Sequence, residues 1–454
     1  MAAVLVVGLG VTGEAVARRL AASGPVVVVE DHPEGQGVAE RAARLRALGV
    51  EVVAAPGPAE LARLVEGADL VVPSPGVPES HPVYGLATGA GVALRSEIEL
   101  AGDAARALGR TLCAVTGTNG KTTVTTLAAE MLRAGGVSAL AAGNIGRPLL
   151  DAVHDEAEVI VAEVSSFQLR FTERFRPRVA VLLNAAEDHL DWHPDFGAYV
   201  AAKARIFANQ TGDDLLVHNL DDEAVAEVAG RAPARSVGFS LGPGGTGYRV
   251  EEDGGDRWLT TPDGVAFLAV AELSRSGPHD VANALAASAA VFDLGVSAAA
   301  VAGVLRSFTG LPHRVTPVGQ SGGVTFVDDS KATNPHAALA ALAGFPSVVL
   351  LAGGRNKGLD LGVLRREAGR IRAVVAMGDA AEEVAGCFEG LRPVRRAASM
   401  AEAVRLGAEL ARPGDTVLLS PACASFDWYP NYGARGDDFT AEVTKLIAQG
   451  ERHD

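Results

Sequence analysis

The chain has 454 residues, 48% hydrophobic and 21% charged, a composition ordinary for a globular protein and enough length for about three domains. Its net charge of −15 is broken by no block of Lys or Arg, which argues against a nucleic-acid partner. Three widely spaced cysteines (Cys113, Cys387, Cys423) fit a reducing compartment. No apolar run reaches the roughly 18 residues of a membrane span, and no basic leader precedes the first strand, so the expectation is a cytoplasmic protein with no membrane partner.

In chain order, Ala3–Val7 predicts an apolar strand feeding Gly8-Leu-Gly10-Val-Thr-Gly13, then an amphipathic helix from about Glu14 to Ser23. Pro25–Val29 predicts a second strand ending on Glu30-Asp31, and Leu70–Val72 a third that runs into Pro73-Ser74-Pro75-Gly76. Runs that are apolar throughout suit a parallel sheet covered on both faces. The GxGxxG turn with an acidic residue after the next strand opens a Rossmann-like unit, suited to a dinucleotide or a nucleoside diphosphate. A glycine turn needed only for helix packing has the same spelling. With NAD as ligand, Glu30 or Asp31 would hold the ribose.

Residues 115–123, Val-Thr-Gly-Thr-Asn-Gly-Lys-Thr-Thr, are the most informative stretch. The apolar run Thr111–Val115 precedes them as a strand, and Val124–Leu132 follows with Leu127, Ala128, Met131 and Leu132 on one helix face. A glycine turn between strand and helix aims backbone N–H groups and a helix N-terminus at one spot, which suits phosphate. Lys121 would meet the outer phosphates and Thr122 would offer a hydroxyl to Mg²⁺. Two residues separate Gly117 from Gly120, whereas the common P-loop has four. A nucleoside triphosphate is the expected ligand, and hydride transfer alone has no use for such a loop.

Strands are predicted next at Val159–Ala162 and Val179–Leu183. The first ends at Glu163, where a carboxylate can complete a Mg²⁺ shell. The second runs into Asn184-Ala-Ala-Glu-Asp-His189, whose histidine is a candidate metal or phosphoryl ligand. Lys203 follows in a helical stretch with small or apolar neighbours, either as a surface lysine or as a buried one whose charge is removed or paired. Short alternating runs around Gly238–Gly247 and Gly254–Gly255 predict a few antiparallel strands, and Ala282–Phe292 a helix.

After a Gly/Pro hinge at 308–312, strands at Val324–Val327, Val348–Leu351, Val374–Met377 and Val417–Leu419 predict a second Rossmann-like sheet. Three of them run into polar loops: Asp328-Asp329-Ser-Lys331-Ala-Thr333-Asn-Pro335, Gly353-Gly-Arg-Asn-Lys357-Gly, and Ser420-Pro-Ala-Cys-Ala-Ser425-Phe-Asp427. Lysines, hydroxyls and backbone N–H groups at one sheet edge suit an acidic second substrate. The fold class is therefore α/β in three domains: Rossmann-like 1–105, a central P-loop-type ATPase 106–312, and Rossmann-like 313–454.

Thr116-Gly-Thr-Asn-Gly-Lys-Thr122, Glu163-Val-Ser-Ser-Phe-Gln168, Glu187-Asp-His189 and Gly310-Leu-Pro-His-Arg314 together resemble the Mur ligase superfamily, which builds the peptide of peptidoglycan. The 329–334 and 420–427 motifs resemble the branch that adds D-glutamate, and the match runs in order from Gly8 to about Tyr432. The resemblance implies ATP, two Mg²⁺ ions and an acyl phosphate, with UDP-N-acetylmuramoyl-L-alanine and D-glutamate as substrates; a monomer is the separate expectation for the protein. By that resemblance Val11, Thr12, Ser74, Pro75, Gly76 and Asn144 bind the UDP substrate. Gly117, Thr118, Asn119, Gly120, Lys121, Thr122, Thr123, Asn283, Arg314, Asp329 and Lys331 surround ATP. Thr122, Glu163, His189 and Lys203 hold metal, with Lys203 carbamylated, and Lys121, His189 and Lys203 are the catalytic positions. Thr333, Lys357, Ser425 and Tyr432 hold D-glutamate. Two departures stand out: His279 is followed by Asp280 where the family often has Asn, and Glu30-Asp31-His32 matches the uridine pattern in more than one way. Competing readings are another amide ligase of the superfamily, a nicotinamide oxidoreductase resting on Gly8–Gly13, and a P-loop switch without catalysis.

Overall fold

A computed structural model describes residues 3–190 and 192–450, so the outermost residues of the expected first and last domains lie outside the described chain. Apolar strands need cover on both faces, and the chain supplies it by alternating them with helices. The first sheet has five parallel strands in the order Glu51–Ala54, Val26–Glu30, Val4–Val7, Leu70–Pro73 and Ala93–Leu94. That places the first strand centrally, with the glycine turn at its C-terminal end, as in dinucleotide-binding folds. The helix after it spans Val11–Leu20 and so starts within the glycine motif. A methyl group on Gly13 would lie 1.9 Å from the Gly8 carbonyl oxygen, so glycine lets helix and strand end touch.

The second sheet has nine strands, ordered Ala266–Ala269, Asp256–Thr260, Tyr248–Asp253, Arg235–Ser240, Leu215–Asn219, Val179–Leu182, Thr111–Thr116, Val159–Glu163 and Ala139–Gly143. The first three of these pair antiparallel, where the glycine-rich alternating segments predicted it, and the rest are parallel. The third sheet is ordered Thr316–Ser321, Val324–Asp328, Thr416–Leu419, Val348–Gly353, Ile371–Met377 and Val394–Ala397, with an antiparallel first pair. Its helix Pro335–Leu342 begins on the proline and is capped by Asn334.

These sheets fall into two compact units. The first holds the chain through Ala185 together with Trp192–Ser274 and Ala282–Ser307, and therefore both of the first two sheets. The second holds the short segment from Ala186, Arg275–Val281 and the chain from Phe308 onward. Among the described residues no helix is long and apolar enough to cross a membrane.

Within the first unit, the helix Glu97–Ala107 carries two buried carboxylates. Glu99 accepts the backbone N–H groups of Glu173, Arg174 and Phe175 at 2.9–3.0 Å. Glu97 accepts from Leu150 N–H at 2.5 Å, at the start of the short helix Leu149–Ala152. Burial drives the Glu97 carboxyl up to about 7, against the pull of the Leu150 and Leu149 amides and with the help of the Asp151 charge. A carboxyl with a raised folded pKa contributes stability that is fully present below its ordinary value of 4.5 and is lost as pH rises through about 7. Glu97→Gln keeps an acceptor for Leu150 and removes the titration. The expected outcome is a melting temperature that falls less between about pH 5 and about pH 8 than in the parent protein; equal slopes would refute this account of Glu97.

Candidate functional site

In the first unit the Gly117–Thr123 loop joins the strand Thr111–Thr116 to the helix Lys121–Ala134. Gly120 takes φ +84°, and a methyl group there would lie 2.5 Å from Oδ1 of Asn283. Only glycine fits. Asn283 is thereby set against the loop that the sequence motif assigns to ATP. Asn184 clamps the loop from the neighbouring strand end: its Oδ1 accepts from Thr118 N–H at 3.0 Å and Asn119 N–H at 2.8 Å, and its Nδ2 donates to the Asn119 carbonyl. Thr118 also shares a hydrogen bond with the Tyr199 hydroxyl at 3.0 Å. Thr122 and Thr123 lie in the first helical turn, where N–H groups have no acceptor within the helix.

Two ammonium groups converge on this loop. Lys121 Nζ donates to the Gly117 and Thr118 carbonyls, both at 2.9 Å. Lys203 Nζ donates to the Gly117 carbonyl at 2.8 Å and lies 4.3 Å from the centre of the Tyr199 ring. Lys203 is only 2% exposed, so of the two alternatives open for it the buried one holds. Burying a lysine is costly unless donors and charge are matched, and a carbonyl and a ring face supply part of that match.

Glu163 ends the strand Val159–Glu163 and is also 2% exposed. Its Oε1 accepts from Asn144 Nδ2 at 2.8 Å, and Asn144 N–H donates to the Glu163 carbonyl at 2.8 Å. Its Oε2 is buried with no hydrogen-bond partner. A buried carboxylate oxygen left so is what a bound cation would satisfy. Among the described residues no three His, Cys, Asp or Glu side chains gather as a metal site, so any ion here would need the Thr122 hydroxyl, Lys203 chemistry, phosphate or water. His193, not singled out in the sequence, hydrogen-bonds Ser166 Oγ at 2.9 Å; burial, Arg170 and Lys203 push its pKa down to about 4, so it is neutral near pH 7.

Beside Asn144 lies a cavity of about 490 Å³. Val11, Thr12, Ser74, Pro75, Gly76 and Asn144, all expected at the UDP substrate, line it. Ser74 Oγ donates to the Gly8 carbonyl at 2.8 Å, which ties the two loops. The acidic residues that a ribose would use are engaged by the protein: Glu30 accepts Leu9 N–H at 2.6 Å and His32 N–H at 2.8 Å, and Asp31 lies 2.9 Å from His81.

In the second unit, Asp188 is buried and bound by Lys357 Nζ, by Asn334 Nδ2 at 2.9 Å and by the His189 backbone N–H at 2.9 Å. Burial would raise its carboxyl, but the His189 and Lys357 charges and the Lys357 and Asn334 hydrogen bonds outweigh that and hold it below the usual carboxylate range. Asp329 is pushed the other way, up to about 7, by burial; Ser420, the Val315 amide and Arg314 oppose the rise and Asp328 adds to it. Lys331 lies with Nζ 4.0 Å from the centre of the Tyr432 ring. Thr333 is half-buried after Lys331, and Ser425 is buried.

Sequence reasoning missed Arg435, which holds these loops together. Its guanidinium is 2% exposed and donates to Ser330 Oγ at 2.9 Å, the Ser330 carbonyl at 2.7 Å and the Cys423 carbonyl at 3.1 Å. Burial lowers its pKa to about 10, still charged at neutral pH. Asn184 and Asp188 were present in the strand-end motif without an assigned role, and their position after a parallel strand was the available signal.

The chain matches the Mur ligase middle domain over residues 115–291, the Mur ligase glutamate ligase domain over 313–423, and the Mur ligase MurD-like N-terminal domain over 2–96. It is 45% identical to the UDP-N-acetylmuramoylalanine--D-glutamate ligase of Frankia casuarinae, across 97% of this chain and 93% of that protein. The protein of the same name from Thermobifida fusca is 42% identical, across 98% of each. The crystal structure of the UDP-N-acetylmuramate-alanine ligase MurC of Thermotoga maritima shares the fold, with a TM-score of 0.60 at 22% identity over 98% of this chain and 100% of that one. Similarity of this extent, spread over all three sheets, means that the chain belongs to the Mur ligase family.

Proposed function

We propose that the protein is an ATP-dependent carboxylate–amine ligase that joins D-glutamate to UDP-N-acetylmuramoyl-L-alanine, a step in making peptidoglycan precursors. The observation that carries this is the near full-length identity to ligases of that name, with the motif residues present in order. Residues 1–105 take the UDP substrate, 106–312 ATP and 313–454 D-glutamate, a division supported by the three family matches. The protein acts in the cytoplasm as a monomer, which light scattering on a sizing column would check, with no nucleic-acid or membrane partner.

A carboxylate and an amine do not condense in water, because the oxygen that must leave is a poor leaving group. The L-alanyl carboxylate attacks the γ-phosphorus of ATP, ADP leaves, and an acyl phosphate remains. The D-glutamate amine then attacks the acyl carbon, loses a proton, and phosphate departs. In the first unit, the glycine loop with the amide groups of the Lys121–Ala134 helix start cradles the phosphates, and Lys121 meets charge on the transferred oxygens. For that Lys121 exchanges the Gly117 and Thr118 carbonyls for phosphate. Asn184 keeps the loop in shape, and Asn283 lies against it.

In the first unit, Thr122, Glu163 and carbamylated Lys203 would hold Mg²⁺, which when bound supplies positive charge that offsets the repulsion between carboxylate and triphosphate. The partnerless Oε2 of Glu163 fits such a group. Lys203 as an ammonium would repel Mg²⁺, whereas a carbamate on Nζ would ligate it. In the second unit, Lys357, Thr333, Ser425 and Tyr432 receive D-glutamate.

Lys121→Ala is expected to abolish ADP release that depends on both D-glutamate and the UDP substrate, and a working variant would sink the assignment. Gly120→Ala is expected to weaken ATP binding at least about 100-fold, through its positive φ and the collision with Asn283, while calorimetry still finds the UDP substrate bound. Lys203→Ala is expected to lose activity and to regain part of it with added short-chain carboxylic acid. No recovery at any concentration would argue against the carbamate.

A further inference from the structure

We propose that Asp151 is a positioning residue that sets the spacing between two parts of the wall of the UDP-substrate cavity. The inference rests on the proposed function only in naming the occupant. One part of that wall comes from the first sheet: Gly10, Val11 and Thr12, at the start of the Val11–Leu20 helix. Another comes from the second sheet: Gly143, Asn144, Gly146 and Pro148, which lead directly into the short helix Leu149–Ala152. Both walls therefore belong to the same unit but hang from different sheets.

Asp151 connects them. Its Oδ2 accepts from Arg18 Nη2 at 2.6 Å, its Oδ1 from Arg19 Nε at 2.8 Å, and its carbonyl from Arg19 Nη2 at 3.4 Å. Arg18 and Arg19 sit in the last turn of the helix whose first turn lines the cavity, so a rigid ten-residue helix transmits the attachment. The aspartate side chain is 12% exposed against 46% and 30% for the arginines, which makes this a partly desolvated two-arginine clamp rather than a loose surface pair. From its other side the short helix is held by Glu97 on Leu150 N–H. The segment that carries Asn144 and Pro148 into the cavity is thus pinned at both faces, and Asp151 is the pin that reaches the wall of the first sheet.

None of the described hydrogen bonds of Asp151, Arg18 or Arg19 runs to the Gly117–Thr123 loop. Removing the clamp should therefore alter the UDP-substrate cavity and spare the ATP loop. The test is steady-state kinetics on the full chain, varying each substrate in turn with the other two saturating. Asp151→Asn and, separately, the double variant Arg18→Ala/Arg19→Ala are expected to raise KM for the UDP substrate by about tenfold, with kcat and the ATP KM within about twofold. Asp151→Glu should recover part of the loss. If Asp151→Asn fails to fold, the double variant, which removes only partly exposed side chains, decides. An unchanged KM for the UDP substrate in a folded variant, or an equal change in all three KM values, overturns the proposal. A wild-type protein that neither turns over nor binds the UDP substrate by calorimetry overturns the functional reading, and this inference with it. Wild-type turnover with an unaffected variant overturns this inference alone.

Discussion

A carboxylate taken out of water costs several kcal/mol unless donors or cations replace the solvent, and Glu163 has that replacement on one oxygen only. The surrounding backbone holds it there. A methyl group on Gly143, at φ +102°, would lie 2.3 Å from the Glu163 carbonyl oxygen, so the adjacent strand end presses against it only because residue 143 is glycine. Thr116 Oγ1 donates to the Val164 carbonyl at 2.8 Å and fixes the other side. Close by in the fold, Lys121 and Lys203 share the Gly117 carbonyl as acceptor. A carboxylate short of positive charge and two ammoniums resting on a backbone oxygen form an arrangement whose charge balance changes when a polyanion and its counter-ions arrive. That is the physical core of the ligase reading, and the glycine loop derives its purpose from it.

The parallel core strands were legible because their chemistry is local. A strand covered by helices on both faces must be largely apolar, and Val4–Val7, Val348–Gly353 and the Leu112–Val115 stretch of the central strand are. The strands that escaped the sequence lie mostly at or near sheet edges, where that demand lapses. Val394–Ala397 exposes Arg395 and Arg396, Glu51–Ala54 exposes both of its ends, and Thr316–Ser321 is polar along much of its length. The first helix was placed three residues late for a related reason. Its glycines read as turn, yet Gly13 lies inside the helix, at a position that must be glycine because any side chain there would strike the Gly8 carbonyl.

For the site, the loops were legible and the contacts between them were not. Glycine spacing, strand-end carboxylates and a hydroxyl after lysine announce themselves within a few residues. Asp188 meets Lys357 across 169 residues of sequence, Arg435 meets Ser330 across 105, and Asp151 meets Arg18 across 133. No periodicity encodes such pairs; topology creates them. Lys203 is the intermediate case. Its apolar neighbours were visible, but whether its ammonium reached water depended on the Gly117 carbonyl, 86 residues away.

Two buried carboxylates, Glu163 in the first unit and Asp188 in the second, are treated in opposite ways, and the contrast bears on what each can bind. Glu163 is short of partners, so a cation added beside it gains the full attraction with little to displace. Asp188 already has Lys357, Asn334 and the His189 amide, and its carboxyl is held ionised by them. An incoming amino-acid carboxylate that takes Lys357 must therefore exchange with a carboxylate already there. Such an exchange keeps the lysine paired before and after but leaves the buried Asp188 with only Asn334 and the His189 amide, which offsets part of the gain. The net attraction is correspondingly smaller than for an unmatched cation. Under the placement of D-glutamate proposed above, discrimination between amino acids comes from groups other than that lysine, and the hydroxyls of Thr333, Ser425 and Tyr432, in the same unit, are the proposed ones.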